Sequence, residues 1–249
     1  MRFVDGCNRL FIVMKGVGVT AIMSDLIHRI GHASPPCSMH ELTPGRHGYS
    51  VVDPQTLADV ARWRRAERKR LIAKRLALSP NERRRIVDGI AVELDELIEP
   101  GPGAVISLYW PMHGELDLRD WMKSAHRKGA RLALPLVVSK DQPLIFREWT
   151  PDCRMEKGVW NIPHPADGAA VLPDIVISPL VGFDQNCFRL GYGGGYFDRT
   201  LAELWPAPRA IGVGYPSARI ATIFPQIHDI PMDVLVSGEG QVLYRGSSE

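Results

Sequence analysis

The stretch from Asp174 to Leu204 reads DIVISPLVGFDQNCFRLGYGGGYFDRTLAEL, and it decides the fold. It begins with a largely apolar run, Asp174 to Pro179, that predicts a buried strand. It ends with a segment from about Phe197 to Leu204 that predicts a helix. Four glycines within five residues lie between them. A strand, a glycine-rich loop and a helix in this order are typical of α/β sheets, which hold ligand loops at the carboxyl ends of strands.

Apolar runs alternate with helical patterns on both sides of this stretch. The further predicted strands are Ala104 to Trp110, Arg131 to Val138, Leu144 to Trp149 and Ala210 to Tyr215. The predicted helices are Leu57 to Leu78, a helix that starts at Ser79 and ends at Pro100-Gly101, and Asp117 to Lys128. The start at Ser79 is the clearest, since Pro80 and Glu82 complete a capping box. The pattern predicts an α/β fold in three layers, with a mostly parallel open sheet, helices on both faces and a basic N-terminal helix.

The first part of the chain differs from the rest. Residues 24–55 are rich in Ser, Pro, His and Gly and show no sustained period, so we expect residues 1–56 to form an irregular arm, with a start codon placed too far upstream. Residues 57–249 are expected to form the α/β domain. No apolar run approaches the roughly 20 residues of a membrane helix. Four widely spaced cysteines predict reduced thiols in a cytoplasmic protein.

Charge is concentrated in one segment, although the chain as a whole carries only +2. Eleven basic and two acidic residues lie between Arg62 and Arg85. Arg64, Arg68, Leu71 and Arg75 share one helical face, which suits a phosphate or carboxylate site. One alternative is a solvated basic helix. Another is a nucleic-acid-binding face on a non-catalytic scaffold, although no aromatic residue lies among the basic ones between Arg64 and Arg85.

The glycine-rich loop predicts a phosphate site. Glycines let the main chain approach a ligand and direct N–H groups at phosphate oxygens, and the following helix adds its positive end. Arg189 would donate hydrogen bonds, and Asp198 would offer a hard oxygen ligand for Mg²⁺. The pattern is neither a Walker A loop nor G-x-G-x-x-G. The alternative is a glycine-rich connection that binds nothing.

An aromatic and a carboxylate follow the first strand of the domain. Trp110 and Glu115 stand where a parallel strand ends, and such a pair stacks on and hydrogen-bonds a planar heterocycle. The alternative is that Trp110 belongs to the core and that Glu115 caps the next helix.

Taken together, these features resemble one family, the 5-formyltetrahydrofolate cyclo-ligases, also called 5,10-methenyltetrahydrofolate synthetases. The likeness spans Arg62 to Val236 and is carried chiefly by RLGYGGGYFDR at 189–199. The other matching segments are RLALSP at 75–80, GE at 114–115, SPLVGFD at 178–184 and HDIPMD at 228–233. The resemblance implies a ligase that uses ATP as co-substrate and Mg²⁺ to convert 5-formyltetrahydrofolate to 5,10-methenyltetrahydrofolate, releasing ADP and phosphate. It also implies a monomer or weak dimer that binds no nucleic acid and no membrane.

The resemblance assigns roles to individual residues. Arg189 and Asp198 would be catalytic, and Asp198 and Asp229 would hold the metal. The residues implied to bind ATP are Arg64, Arg65, Arg68, Arg189, Gly191, Gly193, Gly194, Gly195, Tyr196 and Phe197. Those implied to bind the folate are Arg68, Trp110, Glu115, Tyr192 and Phe197.

Four positions depart from the family's usual residues. Arg64 replaces a frequent Lys, and Phe197 replaces a Tyr. His164 replaces the Glu of an Ile-Pro-Glu-Pro element, and Ala218 replaces a frequent Gln. The last two leave open a paralogue that keeps the fold but has lost or changed the substrate.

Overall fold

A computed structural model describes residues 42–45, 48–51, 54–240 and 242–247 of the chain. The expectations for residues 1–41 and for the start codon lie outside the described residues. Strands β1 (Leu42–Gly45) and β2 (Gly48–Val51) pair in a two-stranded sheet of their own. The sequence predicted an irregular arm here, because strands of four residues are too short to show a period. Of the described residues, 54–240 and 242–247 belong to one compact unit.

Four helices lie in this unit, and the sequence predicted all of them within a few residues of their ends. They are α1 (Pro54–Leu76), α2 (Pro80–Ile98), α3 (Arg119–Arg127) and α4 (Tyr196–Glu203). The predicted capping box of α2 is confirmed. The Glu82 N–H donates to Ser79 Oγ at 3.3 Å, and the Ser79 N–H donates to Glu82 Oε2 at 2.9 Å. None of the described helices is long and apolar enough to cross a membrane.

Seven strands form the central sheet of the unit. They are β3 (Val105–Ser107), β4 (Arg131–Leu136), β5 (Ile145–Trp149), β8 (Ile175–Pro179), β11 (Arg209–Val213), β12 (Val234–Val236) and β13 (Leu243–Tyr244). Their order is β13-β12-β11-β8-β3-β4-β5. The five strands from β12 to β4 are parallel, and the two edge strands are antiparallel. The predicted mostly parallel sheet is confirmed.

The strand order reverses between β3 and β8. From β3 the chain moves outward to β4, whereas from β8 it moves the opposite way to β11 and β12. Loops that leave the carboxyl ends of two such strands diverge and leave a crevice between them, where α/β sheets bind ligands. The loop that follows β3 carries Trp110 and Glu115, and the loop that follows β8 carries the glycines.

Alternate residues of the strands pack against helices on the two faces of the sheet. On one face Ile106 and Ile177 join Ile90 of α2 and Met122 of α3 in the main core. On the other face Ala133, Phe146 and Val176 pack against Phe197 and Leu201 of α4. The three-layer arrangement that the sequence predicts is therefore present.

The strands differ from prediction in length and number. The apolar run from Ala104 to Trp110 gives only a three-residue strand, because the chain leaves the sheet after Ser107. Four short strands had no predictive pattern: β6 (Met155–Lys157) pairs with β7 (Pro163–Pro165), and β9 (Gly182–Phe183) pairs with β10 (Arg189–Leu190). The edge pair β12 and β13 was also missed. A strand of two or three residues is too short to show the alternation of apolar and polar residues that predicts a strand.

Candidate active site

A cavity of about 500 Å³ opens at the carboxyl ends of β3 and β8, where the strand order reverses. Its walls come from α1, from the two loops that follow these strands and from the N-terminal turn of α4. It is lined by fourteen of the fifteen residues to which the sequence assigned roles. They are Arg64, Arg68, Trp110, Glu115, Arg189, Gly191, Tyr192, Gly193, Gly194, Gly195, Tyr196, Phe197, Asp198 and Asp229.

The remaining predicted residue is Arg65. Its side chain is exposed and lines a shallow depression on the other side of Arg68. The structure does not bring it to the cavity, because one residue along a helix turns the side chain by about 100°. Its part in ATP binding stays a prediction.

The basic face of α1 packs against the body of the domain rather than facing solvent. Arg64, Leu71 and Arg75 are buried, and the Arg64 guanidinium donates to the carbonyls of Ile223 and Phe224 at 2.9 and 2.8 Å. Arg64 also forms an ion pair with Asp229. For this face the solvated-helix alternative is wrong.

Arg68 ties the same helix to the glycine-rich loop. Its Nε donates to the Gly191 carbonyl oxygen at 2.6 Å, and a Cβ added at Gly193 would lie 3.2 Å from its guanidinium carbon. Burial and the neighbouring Arg64 lower the pKa of Arg68 from its usual value. Two guanidiniums in one wall favour an anionic ligand in the cavity, because an anion relieves their mutual repulsion.

Arg189 is buried in the cavity wall with unused donors. Its Nη2 lies 2.9 Å from Asp198 Oδ2, but the angle is poor for a hydrogen bond, and neither Nε nor Nη2 has a hydrogen-bond acceptor among the described residues. The guanidinium also lies 5.4 Å from the Phe197 ring centroid. Donors buried without an acceptor cost free energy, so this side chain is poised for an oxyanion in the cavity.

The glycine-rich loop needs its glycines for two different reasons. Gly193 and Gly195 adopt φ of +98° and +66°, which favour glycine. Gly191 and Gly194 have ordinary φ, but a Cβ would lie 2.9 Å from Arg189 Nη1 and from the Tyr196 ring, respectively, so these side chains would have to move. Gly195 is the N-cap of α4, and no side chain caps the helix there. The first turn of α4 therefore directs its N–H groups at the loop and cavity.

Asp198 and Asp229 both line the cavity. Asp198 Oδ1 accepts the Ile230 N–H at 3.1 Å, which ties α4 to the residue after Asp229. Asp229 Oδ2 accepts the Gln226 N–H at 2.6 Å. Among the described residues no group of three or more His, Cys, Asp or Glu side chains is placed to hold a metal ion. Asp229 is paired with Arg64 and Asp198 with Arg189, and the role of the two carboxylates as Mg²⁺ ligands stays a prediction. Mg²⁺ sites shared with phosphate oxygens need only one or two protein carboxylates.

Glu115 is a buried carboxyl in the opposite wall. Its Oε2 accepts the Met112 N–H at 2.9 Å, and burial raises its pKa from 4.5 to about 7. Tyr192 hydrogen-bonds Glu115, and the Arg75 Nη2 donates to the Tyr192 hydroxyl at 2.6 Å. Burial raises the pKa of Tyr192 to about 12. Arg75, which the sequence placed on the basic face of α1, thus positions Tyr192 and Glu115.

Aromatic side chains form much of the remaining wall. The Arg119 guanidinium lies 5.2 Å from the centroid of the Trp110 ring. Trp110 lines the cavity and packs only at the edge of the core. Trp160 was missed from the sequence. It is 60% exposed, lines the cavity and meets Tyr196 edge to face at 5.5 Å. An aromatic in a short, irregular segment carries no signal beyond its residue type.

The two departures from the family pattern have different surroundings. His164 is buried and lines the cavity, with Nδ1 3.0 Å from the Pro165 carbonyl oxygen. Ala218 is buried in a cluster with Leu180 and Phe183, and it does not line the cavity. Of these two changes, only the one at His164 alters the lining of the cavity.

The site is a crevice at the switch point of a parallel sheet, and it is lined by buried guanidiniums, a glycine-rich loop and aromatic rings. Such a site is typical of α/β enzymes that bind an anionic ligand together with a planar ligand. Residues 60–236 match the model of the 5-formyltetrahydrofolate cyclo-ligase family. The chain belongs to this family, and the expectation of a ligase is confirmed.

Curated relatives carry the family's name. The 5-formyltetrahydrofolate cyclo-ligase of Haemophilus influenzae is 30% identical over 69% of this chain and 95% of its own length. That of Mycoplasma pneumoniae is 29% identical over 70% of this chain and 98% of its own.

Solved structures agree with this assignment. The NMR structure of the Aquifex aeolicus 5,10-methenyltetrahydrofolate synthetase superposes with a TM-score of 0.64 at 29% identity, covering 75% of this chain and 94% of that one. A synthetase structure from Mycoplasma pneumoniae gives 0.59 at 26% identity, covering 71% of this chain and 99% of that one.

Proposed function

We propose that the chain converts 5-formyltetrahydrofolate and ATP to 5,10-methenyltetrahydrofolate, ADP and phosphate. The observation that carries the proposal is Arg189, a buried guanidinium whose Nε and Nη2 lack hydrogen-bond acceptors among the described residues and which lies beside the glycine-rich loop. Such donors favour a phosphate oxygen in the cavity. Membership of the family supports the same reaction.

The chemistry starts at the formyl oxygen on N5, which is a poor leaving group. The formyl oxygen attacks the γ-phosphorus of ATP, ADP leaves, and an iminophosphate forms. Arg189 and the N–H groups of the loop and of α4 hold the phosphate oxygens in line and neutralise their charge, which is where most of the catalysis in phosphoryl transfer lies. A Mg²⁺ ion held by Asp198, Asp229 and phosphate oxygens would add further charge neutralisation.

Ring closure follows at the folate end of the cavity. N10 attacks the activated carbon, phosphate departs, and the N10 proton must be removed. Glu115 suits this step, because its pKa of about 7 lets it accept a proton at neutral pH. The hydrogen bonds from the Met112 N–H and Tyr192 hold the carboxyl in place. Trp110 and Phe197 offer faces for the flat rings of the substrate.

The same geometry disfavours a nucleic-acid-binding scaffold. Arg64 and Arg75 are buried, and Arg68 is half-buried against the loop, so this face does not present a row of cations to a phosphate backbone. The expected small-molecule partners, the monomer or weak dimer and the cytoplasmic location stay predictions.

The test is direct. Purified protein is mixed with 5-formyltetrahydrofolate, ATP and Mg²⁺, and the near-ultraviolet absorbance of the methenyl product is followed. We expect a rise that needs all three, and a loss of about 10²-fold in Arg189→Lys, since a point charge does not replace a planar fork. Arg127→Lys, at an exposed position on α3, is the control. Folded protein that gives no rise with any ATP or folate concentration would overturn the proposal.

His164 motivates a second candidate, a ligase of the same fold with a changed substrate. Of the two departures that bear on the substrate, His164 and Ala218, it is the one that lines the cavity, where the family usually has Glu. If the wild-type protein is inactive on 5-formyltetrahydrofolate while binding ATP, His164→Glu should restore turnover. Failure of that substitution to restore activity would exclude His164 as the cause.

A further inference from the structure

Arg83, near the start of α2, directs its guanidinium at main-chain carbonyls of separate segments. Its Nη2 donates to the carbonyl oxygens of Arg75 and Leu76 at 2.8 and 3.0 Å. Its Nε donates to the carbonyl oxygen of Leu78 at 3.1 Å, and its Nη1 donates to that of Gly114 at 3.4 Å. The side chain is half-buried. A guanidinium suits such a set of acceptors, because it offers five donors in one rigid plane.

Two of these contacts complete the end of α1. Arg75 and Leu76 lie in its last turn, where carbonyl groups lack helical N–H partners and where a cation is favourable. These contacts are local, since Arg83 follows the two residues by eight and seven positions. The contact with Gly114 is different, because it spans 31 positions and reaches the loop that follows β3.

The chain is shaped at Gly114 to allow this contact. Gly114 adopts a φ of +75°, and a Cβ there would lie 2.9 Å from Arg83 Nη1. The Gly114 carbonyl oxygen also accepts the Tyr215 hydroxyl at 2.9 Å, and Arg83 hydrogen-bonds that hydroxyl in turn. Two side chains from outside the loop therefore hold the peptide group that joins Gly114 to Glu115.

Arg83 thus supports the Glu115 carboxyl from two sides. On one side it holds the peptide group that precedes Glu115. On the other side it holds the carbonyl of Arg75, whose side chain donates to the Tyr192 hydroxyl, and Tyr192 hydrogen-bonds Glu115. Arg83 itself is not among the residues that line the cavity.

We propose that Arg83 is a positioning residue that holds Glu115 where it accepts the N10 proton. The inference rests on the proposed function, because that function gives Glu115 its task. A proton acceptor works only within hydrogen-bond reach of the proton, so a small displacement lowers turnover steeply. Loss of Arg83 should therefore lower kcat and leave the KM for ATP nearly unchanged.

The test is a double-mutant cycle of Arg83→Gln and Glu115→Gln in the full chain, with the absorbance of the methenyl product as the readout. We expect Arg83→Gln alone to lower kcat by about tenfold and to change the KM for ATP by less than about twofold. In the Glu115→Gln background it should lower kcat by less than about twofold, because no proton acceptor remains to be positioned. Arg84→Gln, at an exposed position next to Arg83, is the control and should leave kcat unchanged in both backgrounds.

Two kinetic outcomes would overturn the proposal. Equal falls in kcat in the two backgrounds would mean that Arg83 only stabilises the fold, and a wild-type kcat in Arg83→Gln would mean that it positions nothing. If Arg83→Gln does not fold, Arg83→Lys takes its place in the cycle under the same criteria. Its ammonium keeps a charge at the end of α1 but lacks the planar set of donors.

A second readout separates this inference from the proposed function. The titratable groups that interact with the Glu115 carboxyl are Arg75, Tyr109, Tyr192 and Tyr215. Urea unfolding between pH 4.5 and about 8 gives the pH-dependent difference in stability between Glu115→Gln and its parent, in the wild-type and Arg83→Gln backgrounds. If Arg83 holds Glu115 in its buried place, its loss lets the carboxyl reach water, and the difference should shrink.

An unchanged or larger difference in the Arg83→Gln background would overturn the proposal. A larger one is what the mere loss of a nearby cation would give, because it raises the pKa of a carboxyl. If wild type turns over no folate, the proposed function fails, and the unfolding measurement still decides whether Arg83 positions Glu115.

Discussion

Glu115→Gln removes a charge from a wall of the cavity while keeping the shape of the side chain. The carboxyl is 8% exposed, and burial raises its pKa from 4.5 to about 7. This rise corresponds to about 3 kcal/mol of preference for the protonated form in the folded protein. The hydrogen bonds from Met112 and Tyr192 oppose the rise and are already included in that balance.

The sign of the pH dependence follows from the raised pKa. Below pH 4.5 Glu115 is protonated in both the folded and the unfolded chain, so its stabilising contribution is complete. Between pH 4.5 and 7 the unfolded chain releases the proton while the folded chain keeps it, and the contribution is lost. Gln does not titrate. Relative to wild type, the free energy of unfolding of Glu115→Gln should therefore rise by up to about 3 kcal/mol between pH 4.5 and pH 8.

The assay is urea unfolding of both proteins at several values of pH across this range. Glu148→Gln is the control. The hydrogen bond from Arg131 lowers the pKa of the Glu148 carboxyl, so its difference from wild type should change mainly below pH 4.5 and stay nearly constant across this range. A difference between Glu115→Gln and wild type that is independent of pH would refute the burial of an ionisable group at this position. In the enzymatic assay we expect Glu115→Gln to lose at least about 10²-fold in kcat, since Gln accepts no proton.

Three further predictions concern the phosphate end of the cavity. Asp198→Asn should abolish ATP-dependent turnover with little loss in melting temperature, because Asn keeps an acceptor for the Ile230 N–H; full activity at limiting Mg²⁺ would contradict its role. Arg68→Ala should lower the rate of turnover by about 10²-fold, and Arg68→Lys should restore only part of that rate, since a point charge cannot replace the planar guanidinium near the glycine-rich loop. Equal rates in Arg68→Ala and in the exposed control Arg84→Ala would refute this. Gly194→Val should weaken the affinity for a non-hydrolysable ATP analogue far more than it lowers the melting temperature, because the valine Cβ would displace the Tyr196 ring. Titration calorimetry measures the affinity, and an unchanged affinity in a folded variant would refute the proposed role of the loop.

The sequence predicted the elements whose patterns are long and the loops whose composition is unusual. The apolar stripe of α2 and its capping box gave a helix start correct to the residue. The glycines between β8 and α4 predicted a ligand loop, and the loop does line the cavity. That it binds phosphate stays a prediction. Elements of two or three residues, such as β9 and β10, were out of reach.

Side-chain partners were the other part that the sequence did not reveal. The helical face of α1 predicted which arginines turn inward, but not that Arg64 takes Asp229 as its partner. Nor did it predict that two donors of Arg189 lack a hydrogen-bond acceptor among the described residues. Such details depend on residues that are far apart in the chain. Trp160 was missed for the same reason, since its place in the wall is set by tertiary packing around Tyr196.

The contacts of α1 also determine when the cavity can form as the chain is synthesised. Arg68 reaches Gly191 across 123 positions, and Arg64 reaches Asp229 across 165. The helix leaves the ribosome early, but its acceptors arrive only when most of the chain has been made. Closing loops of this length costs entropy before any contact forms. A nascent chain that stops before Ile223 therefore contains the helix, most of the sheet and the Gly191 partner of Arg68. It still leaves the Arg64 guanidinium without its acceptors and the cavity unfinished.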